Sequence, residues 1–161
     1  MPNIEQEIGD LLRQKELTLG VVESATGGLI SHLVTNAPNS SDYYKGSVIA
    51  YGNEAKMAVV GVKKDTLDKH GSVSAQTAEE MAKGGRKILA ADICISDTGI
   101  AGPGGATPGK PVGLFFIGLA HHNKAFNQKH LFGRDREKNK DEAAEAALRC
   151  LKDYLTGLKT K

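Results

Sequence analysis

The chain has 161 residues, 40% of them hydrophobic and 25% charged, which fits one domain with a real core and excludes a disordered or fibrous polypeptide. Its 21 basic and 19 acidic residues leave a formal charge of +2; they are interspersed, so no concentrated positive field marks a nucleic-acid binder. The opening MPNIEQEIGDLLRQKE mixes charges into its apolar positions, unlike a signal peptide or a membrane span, so a cytoplasmic protein without membrane contact is expected.

Ile4, Ile8, Leu11 and Leu12 recur at helical spacing behind an Asn3 cap with Gln6 three residues on, which predicts an amphipathic helix ending before Leu17. LTLGVVES then reads as a strand that turns tightly into a helix with Leu29, Ile30, Leu33 and Val34 on one face. Pro38 and NSSD close that helix, and YKGSVIAYG reads as a second buried strand with polar ends. Asn53 is expected to cap a short helix carrying Lys56. Val62 to Gly71 supports only a weak helical turn. Ser74 begins the clearest helix, with Ala78, Met81, Ala82, Ile88 and Leu89 on one side.

Asp92 to Thr98 reads as a third strand. The following GIAGPGGATPGKPVG has six glycines and three prolines and predicts a shaped loop. LFFIGLA and AFNQKHLF flank a turn at His121, His122, Asn123 and Lys124 and read as a strand pair; a polar loop, GRDREKNKD, leads to a last helix through Leu158. Strands interleaved with helices, then a hairpin, predict an α/β fold, a three-layer αβα sandwich around a mixed sheet, with chemistry at the strand ends.

Two cysteines, Cys94 and Cys150, lie in apolar or helical runs without CxxC spacing and read as buried thiols. The five histidines form no ligand pattern, so neither a metal nor another cofactor is expected.

Ser24, in ESATGGL, stands where a strand turns into a helix, a setting that suits a nucleophile with the amides of Thr26 and Gly27 as oxyanion donors. Gly27 and Gly28 permit close approach to a substrate. The rival reading is that Ser24 or Thr26 merely caps the helix. A serine needs a base, and Lys56, Glu23, Glu54 and Asp97 are the candidates. Lys56, in AYGNEAKM, would serve if burial and a helix N-terminus lowered its pKa; a solvated helix lysine is the alternative. After Thr98, the amides of Gly99, Gly102, Gly104 and Gly105 with Lys110 suit a phosphate or another anion, or form a purely structural turn. Arg134 and Arg136 could add a phosphate clamp, against an exposed ion pair with Asp135.

In this order, VESATGG, SVIAYGNEAK, HGSVS and TGIAGPGGATPGKPVG resemble the C-terminal domain family of competence- and damage-inducible CinA proteins, from about Leu17 to the final helix. The family includes nicotinamide-mononucleotide amidohydrolases. The resemblance implies one such domain over residues 1–161, with a serine and lysine dyad that hydrolyses the carboxamide of nicotinamide mononucleotide in pyridine-nucleotide salvage, without a metal. It assigns Ser24 as nucleophile, Lys56 as base, Tyr51 as the tyrosine opening Y-x-NEAK, Thr98 as a donor to oxyanion or substrate, and Arg136 as the arginine of the GDR motif. FGRDREKNKDE departs from that motif, so Lys140 could take over a phosphate contact; Ala25 stands where many relatives carry cysteine. The resemblance also implies a homo-oligomer, with a dimer favoured. Some relatives carry an N-terminal pyrophosphatase domain, and that second activity is expected to be missing here. Two rival readings share the pocket: a non-catalytic nucleotide-binding regulator, and an amidase of another small amide.

Overall fold

The computed structural model describes residues 2–158. Its elements are α1 (Ile4–Gln14), β1 (Leu19–Glu23), α2 (Leu29–Thr35), β2 (Tyr44–Ile49), α3 (Asn53–Ala58), α4 (Lys64–His70), α5 (Ala75–Ile88), β3 (Ile93–Gly99), β4 (Leu114–His121), β5 (Lys124–Leu131) and α6 (Arg136–Gly157), with one 3-10 turn at Ser40–Asp42. The strands form a single sheet in the order β2-β1-β3-β4-β5. β1 pairs in parallel with both β2 and β3, while β4 runs antiparallel to β3 and β5. This is the expected mixed sheet between two helical layers.

Period-2 alternation divides each strand between the layers. Leu19 and Val21, Ile93 and Ile95, and Ile117 and Leu119 pack with α1, α2 and the alanine-rich face of α6 into the larger core. On the other face, Val22 and Cys94 pack with Met81 of α5 and with Val60 and Val62. All five residues of β1 are buried, because it lies inside the sheet with a parallel neighbour on each side.

Caps follow local sequence where the side chain is free to turn back. Asn3 accepts from the Gln6 amide, Ser74 from that of Thr77 and Asp135 from that of Lys138. Five expectations need correction. β2 is an edge strand, half exposed rather than buried; its apolar run is matched by only one neighbour. Asn53 is the first residue of α3, behind Gly52, and makes no cap. The weak turn before Gly71 is a two-turn helix, α4, held from outside: Glu80 of α5 accepts from the Lys63 amide and the Thr66 hydroxyl. The polar loop before the last helix is its first turns, started by the Asp135 cap, with Asn139 fully buried. Ile88, read as inward-facing, is exposed at the end of α5.

β1, β2 and β3 run the same way, so their C-terminal ends meet along one edge of the sheet, and the chain reverses its direction of travel across the sheet between β2 and β3. Such an edge is where open α/β sheets bind ligands. No helix among the described residues is long and apolar enough to cross a membrane.

Two glycines let α5 approach its neighbours. A Cβ at Gly84 would overlap the Val60 carbonyl, and one at Gly118 of β4 the Ala78 carbonyl; neither backbone group can retreat as a flexible side chain would. Gly84→Ala should therefore lower unfolding stability by about 1–3 kcal/mol through overpacking, although alanine gains about 1 kcal/mol in helix propensity. Urea denaturation measures this, and a stabilised variant would contradict the packing.

Candidate active site

Ser24 follows the last residue of β1 and opens a turn in which Gly27 and Gly28 adopt φ of +60° and +108°, conformations that a side chain disfavours. Two buried carboxylates fasten this turn. Asp97 of β3 accepts from the Ser24 amide (3.0 Å) and the Thr26 amide (3.1 Å). Glu23 accepts from the amides of Gly28, Ile30 and Ser31 and from the Ser31 hydroxyl. Glu23 and Asp97 share the face that carries Val21 and Ile95, and neither has exposed surface. As candidate bases they are out of position, since their oxygens are spent on the turn; Glu54 is exposed on α3.

These bonds also change the expected oxyanion donors. The Thr26 amide belongs to Asp97, and the Gly27 amide bonds back to the Ser24 carbonyl at 3.2 Å. Within the turn, the Ala25 amide is the donor with no partner among the described residues.

Lys56 reaches the serine from α3. Its side chain is 1% exposed, and Nζ lies 3.0 Å from Ser24 Oγ and 2.6 Å from the Tyr51 carbonyl. The solvated-lysine reading is thereby overturned. Burial lowers the Lys56 pKa below the usual lysine value, against an opposing pull from Asp97. A neutral amine here has two hydrogens and one lone pair. With an N–H given to the Tyr51 carbonyl, the lone pair is free to accept the Ser24 hydroxyl proton.

The pair opens into a cleft of about 310 Å³, whose wall includes Ala25, Tyr51, Ser72, Thr98 and Arg136. Tyr51 meets Lys56 through its backbone carbonyl, while its ring stands 62% exposed at the rim. Thr98 is buried, and its hydroxyl donates to the Ser72 carbonyl at 2.7 Å. With that hydrogen committed, Thr98 can offer a substrate only an acceptor, not the donor expected. Arg136, in the first turn of α6, donates to the Gly102 carbonyl at 2.7 Å and lies 3.4 Å from the Tyr51 hydroxyl. Gly99, Gly102, Gly104 and Gly105 line the same cleft. Lys110 does not; it donates to the His70 carbonyl and so ties the loop to the end of α4.

Thr26, Gly27 and Gly28 face a second depression, with His32 and Lys140. The structure therefore separates them, and Lys140, from the Ser24 cleft. Arg134 pairs with Glu142 and also stays outside it. Sequence reasoning missed the Ala25 amide and Ser72. The HGSVS segment was the signal for Ser72, but its part in holding Thr98 depends on a contact between residues 26 positions apart. No group of three or more His, Cys, Asp or Glu residues among those described could hold a metal ion.

Comparison with known proteins agrees with this architecture. The family model described as the CinA C-terminal domain matches residues 1–155. A CinA-like protein of Thermotoga maritima is 44% identical over 154 residues, 96% of this chain but 38% of that protein. One from Salinibacter ruber is 47% identical over 145 residues, 90% of this chain and 35% of that protein. The chain thus spans a little over a third of the length of these curated relatives. Among solved structures, the competence damage-inducible protein A (ComA) of Klebsiella pneumoniae superposes with a TM-score of 0.93 at 28% identity, covering 97% of each chain. The competence/damage inducible protein CihA of Agrobacterium tumefaciens gives 0.87 at 31%, covering 97% of this chain and 98% of that one. With the fold and nearly the whole length matched, the chain belongs to the CinA C-terminal domain family.

Proposed function

We propose that this protein is an amidohydrolase that converts nicotinamide mononucleotide to nicotinate mononucleotide and ammonia, with Ser24 as nucleophile and Lys56 as base. The observation that carries the reading is the 3.0 Å approach of a buried lysine amine to a serine hydroxyl at the wall of an open cleft. A buried lysine is rare without a partner or a task, and this one has no carboxylate within ion-pair distance among the described residues.

In this reading Ser24 Oγ attacks the carboxamide carbon as its proton passes to Lys56 Nζ. The Ala25 amide donates to the resulting oxyanion. The Lys56 ammonium then protonates the departing nitrogen, ammonia leaves, and Ser24 holds the acid as an ester. Water, deprotonated by the regenerated amine, attacks that ester; Lys56 passes the proton to the departing Ser24 Oγ, and the product leaves as the carboxylate. The exposed Tyr51 ring at the rim offers a flat face to a cationic pyridine ring. Arg136 keeps guanidinium N–H groups beyond those used on Gly102 and Tyr51, which suits the 5′-phosphate.

Ser24→Ala should lower turnover by about three orders of magnitude or more while leaving mononucleotide binding and thermal stability nearly intact. Ammonia release and calorimetry measure the two, and retained turnover removes the nucleophile. Lys56→Arg should be equally inactive, because guanidinium stays charged at every working pH. The wild-type rate should rise with pH through an ionisation below the usual lysine value, since deprotonation creates the base and burial lowers its pKa. A flat profile, or an active Lys56→Arg, excludes Lys56 as base.

Nicotinamide riboside, which lacks the phosphate, should show kcat/KM about 10- to 100-fold below the mononucleotide, the worth of one or two charge-assisted hydrogen bonds. Arg136→Ala should erase most of that difference. Equal rates on both substrates in the wild type would assign the cleft to a different small amide.

A further inference from the structure

The bonds around Thr26 need one more hydrogen than its hydroxyl possesses. Thr26 Oγ1 lies 2.6 Å from Glu23 Oε1 and 2.5 Å from Asp97 Oδ1, and a hydroxyl donates only once. If both carboxyls were ionised, one of these short oxygen–oxygen contacts would hold no proton, in a place without solvent. The remaining partners distinguish the two acids. Glu23 accepts from three amides and the Ser31 hydroxyl, a donor set that favours the anion. Asp97 accepts from two amides only, those of Ser24 and Thr26.

We propose that Asp97 carries the extra proton: its Oδ1–H donates to Thr26 Oγ1, and Thr26 Oγ1–H donates to Glu23 Oε1, so a neutral acid positions the Ser24 turn. The consequence for chemistry rests on the serine and lysine reading above. The charged groups facing Asp97 are Glu23 from β1 and Lys56 from α3; across the sheet its β4 partner is Ile117. A carboxylate at 97 would favour the protonated form of Lys56 and oppose burial. A neutral acid holds the nucleophile through the same two amides and leaves burial unopposed, so the base stays available. Burial pushes the Asp97 carboxyl up to about 6, with hydrogen bonds from Thr26 and Ser24 pulling the other way. Asp97 is thus a positioning residue that acts through Ser24 and Lys56.

Carbon-13 NMR of the resting protein, with labelled aspartate carboxyls and the Asp97 signal assigned by its loss in Asp97→Asn, tests this without any substrate. The expected result is one carboxyl that titrates above neutrality. An Asp97 carboxyl already ionised at neutral pH overturns the proposal, whatever reaction the cleft performs. If Asp97→Asn does not fold, the wild-type spectrum still decides, by whether an aspartate titrates above neutrality at all. Where Asp97→Asn folds and turns over, its alkaline rise should sit at the wild-type pH, because one neutral group has replaced another. Loss of a real charge would instead move that rise to lower pH, a shift that a merely structural role does not produce. Absence of any amidase activity with a high-titrating Asp97 would reject the proposed function and leave the protonation standing.

Discussion

Asp97, fully buried at the end of β3, spends both of its oxygens on the backbone of the turn that follows β1. A parallel sheet brings these two strand ends together but does nothing to hold the residues beyond the last ladder bond. The carboxyl continues the connection past the sheet. With Glu23 satisfying the amides of Gly28, Ile30 and Ser31, the turn between strand and helix has little freedom, and Ser24 is presented in a fixed place. A side chain held this way has little conformational entropy left to lose when a ligand meets it.

The same packing sets the character of Lys56. It enters from a six-residue helix with little intrinsic stability, steadied by the chain that follows. The Val62 amide bonds to the Lys56 carbonyl, Val60 and Val62 enter the smaller core, and Gly84 admits α5 against Val60. The amine is buried with a carbonyl and a hydroxyl as partners rather than a paired carboxylate, so desolvation outweighs the opposing pull of Asp97 and lowers the pKa. Rigidity and electrostatics therefore have one source in the contacts among α3, α5 and β1.

On the far side of the cleft, the glycine-rich loop and the first turn of α6 support each other. Asn139 donates to the Ala101 and Arg134 carbonyls, and Arg136 to that of Gly102. The segment that looks like a polar loop in sequence is thus a helix start buried against another loop, with Asp135 as its cap. One guanidinium joins this rim to Tyr51 on the opposite wall.

Sequence by itself determined the α/β class with a mixed sheet and the caps at Asn3 and Ser74, and it pointed to the strand ends around Ser24, Tyr51 and Thr98, which the structure brings to one cleft. These follow from short-range regularities: side-chain period, capping residues, and glycine where φ must be positive. Tertiary structure alone decided that β2 lies at the edge, that Lys56 is buried against Ser24 32 residues away, and that the Thr26 and Gly27 amides are already engaged. It also decided that the Thr98 hydroxyl gives its hydrogen to Ser72 and that Lys140 lines a depression separate from the Ser24 cleft. The physical reason is the same in each case. Which hydrogen bonds remain open, and which charges lose water, depends on groups brought together across the sheet, and no local pattern in the chain records those partners.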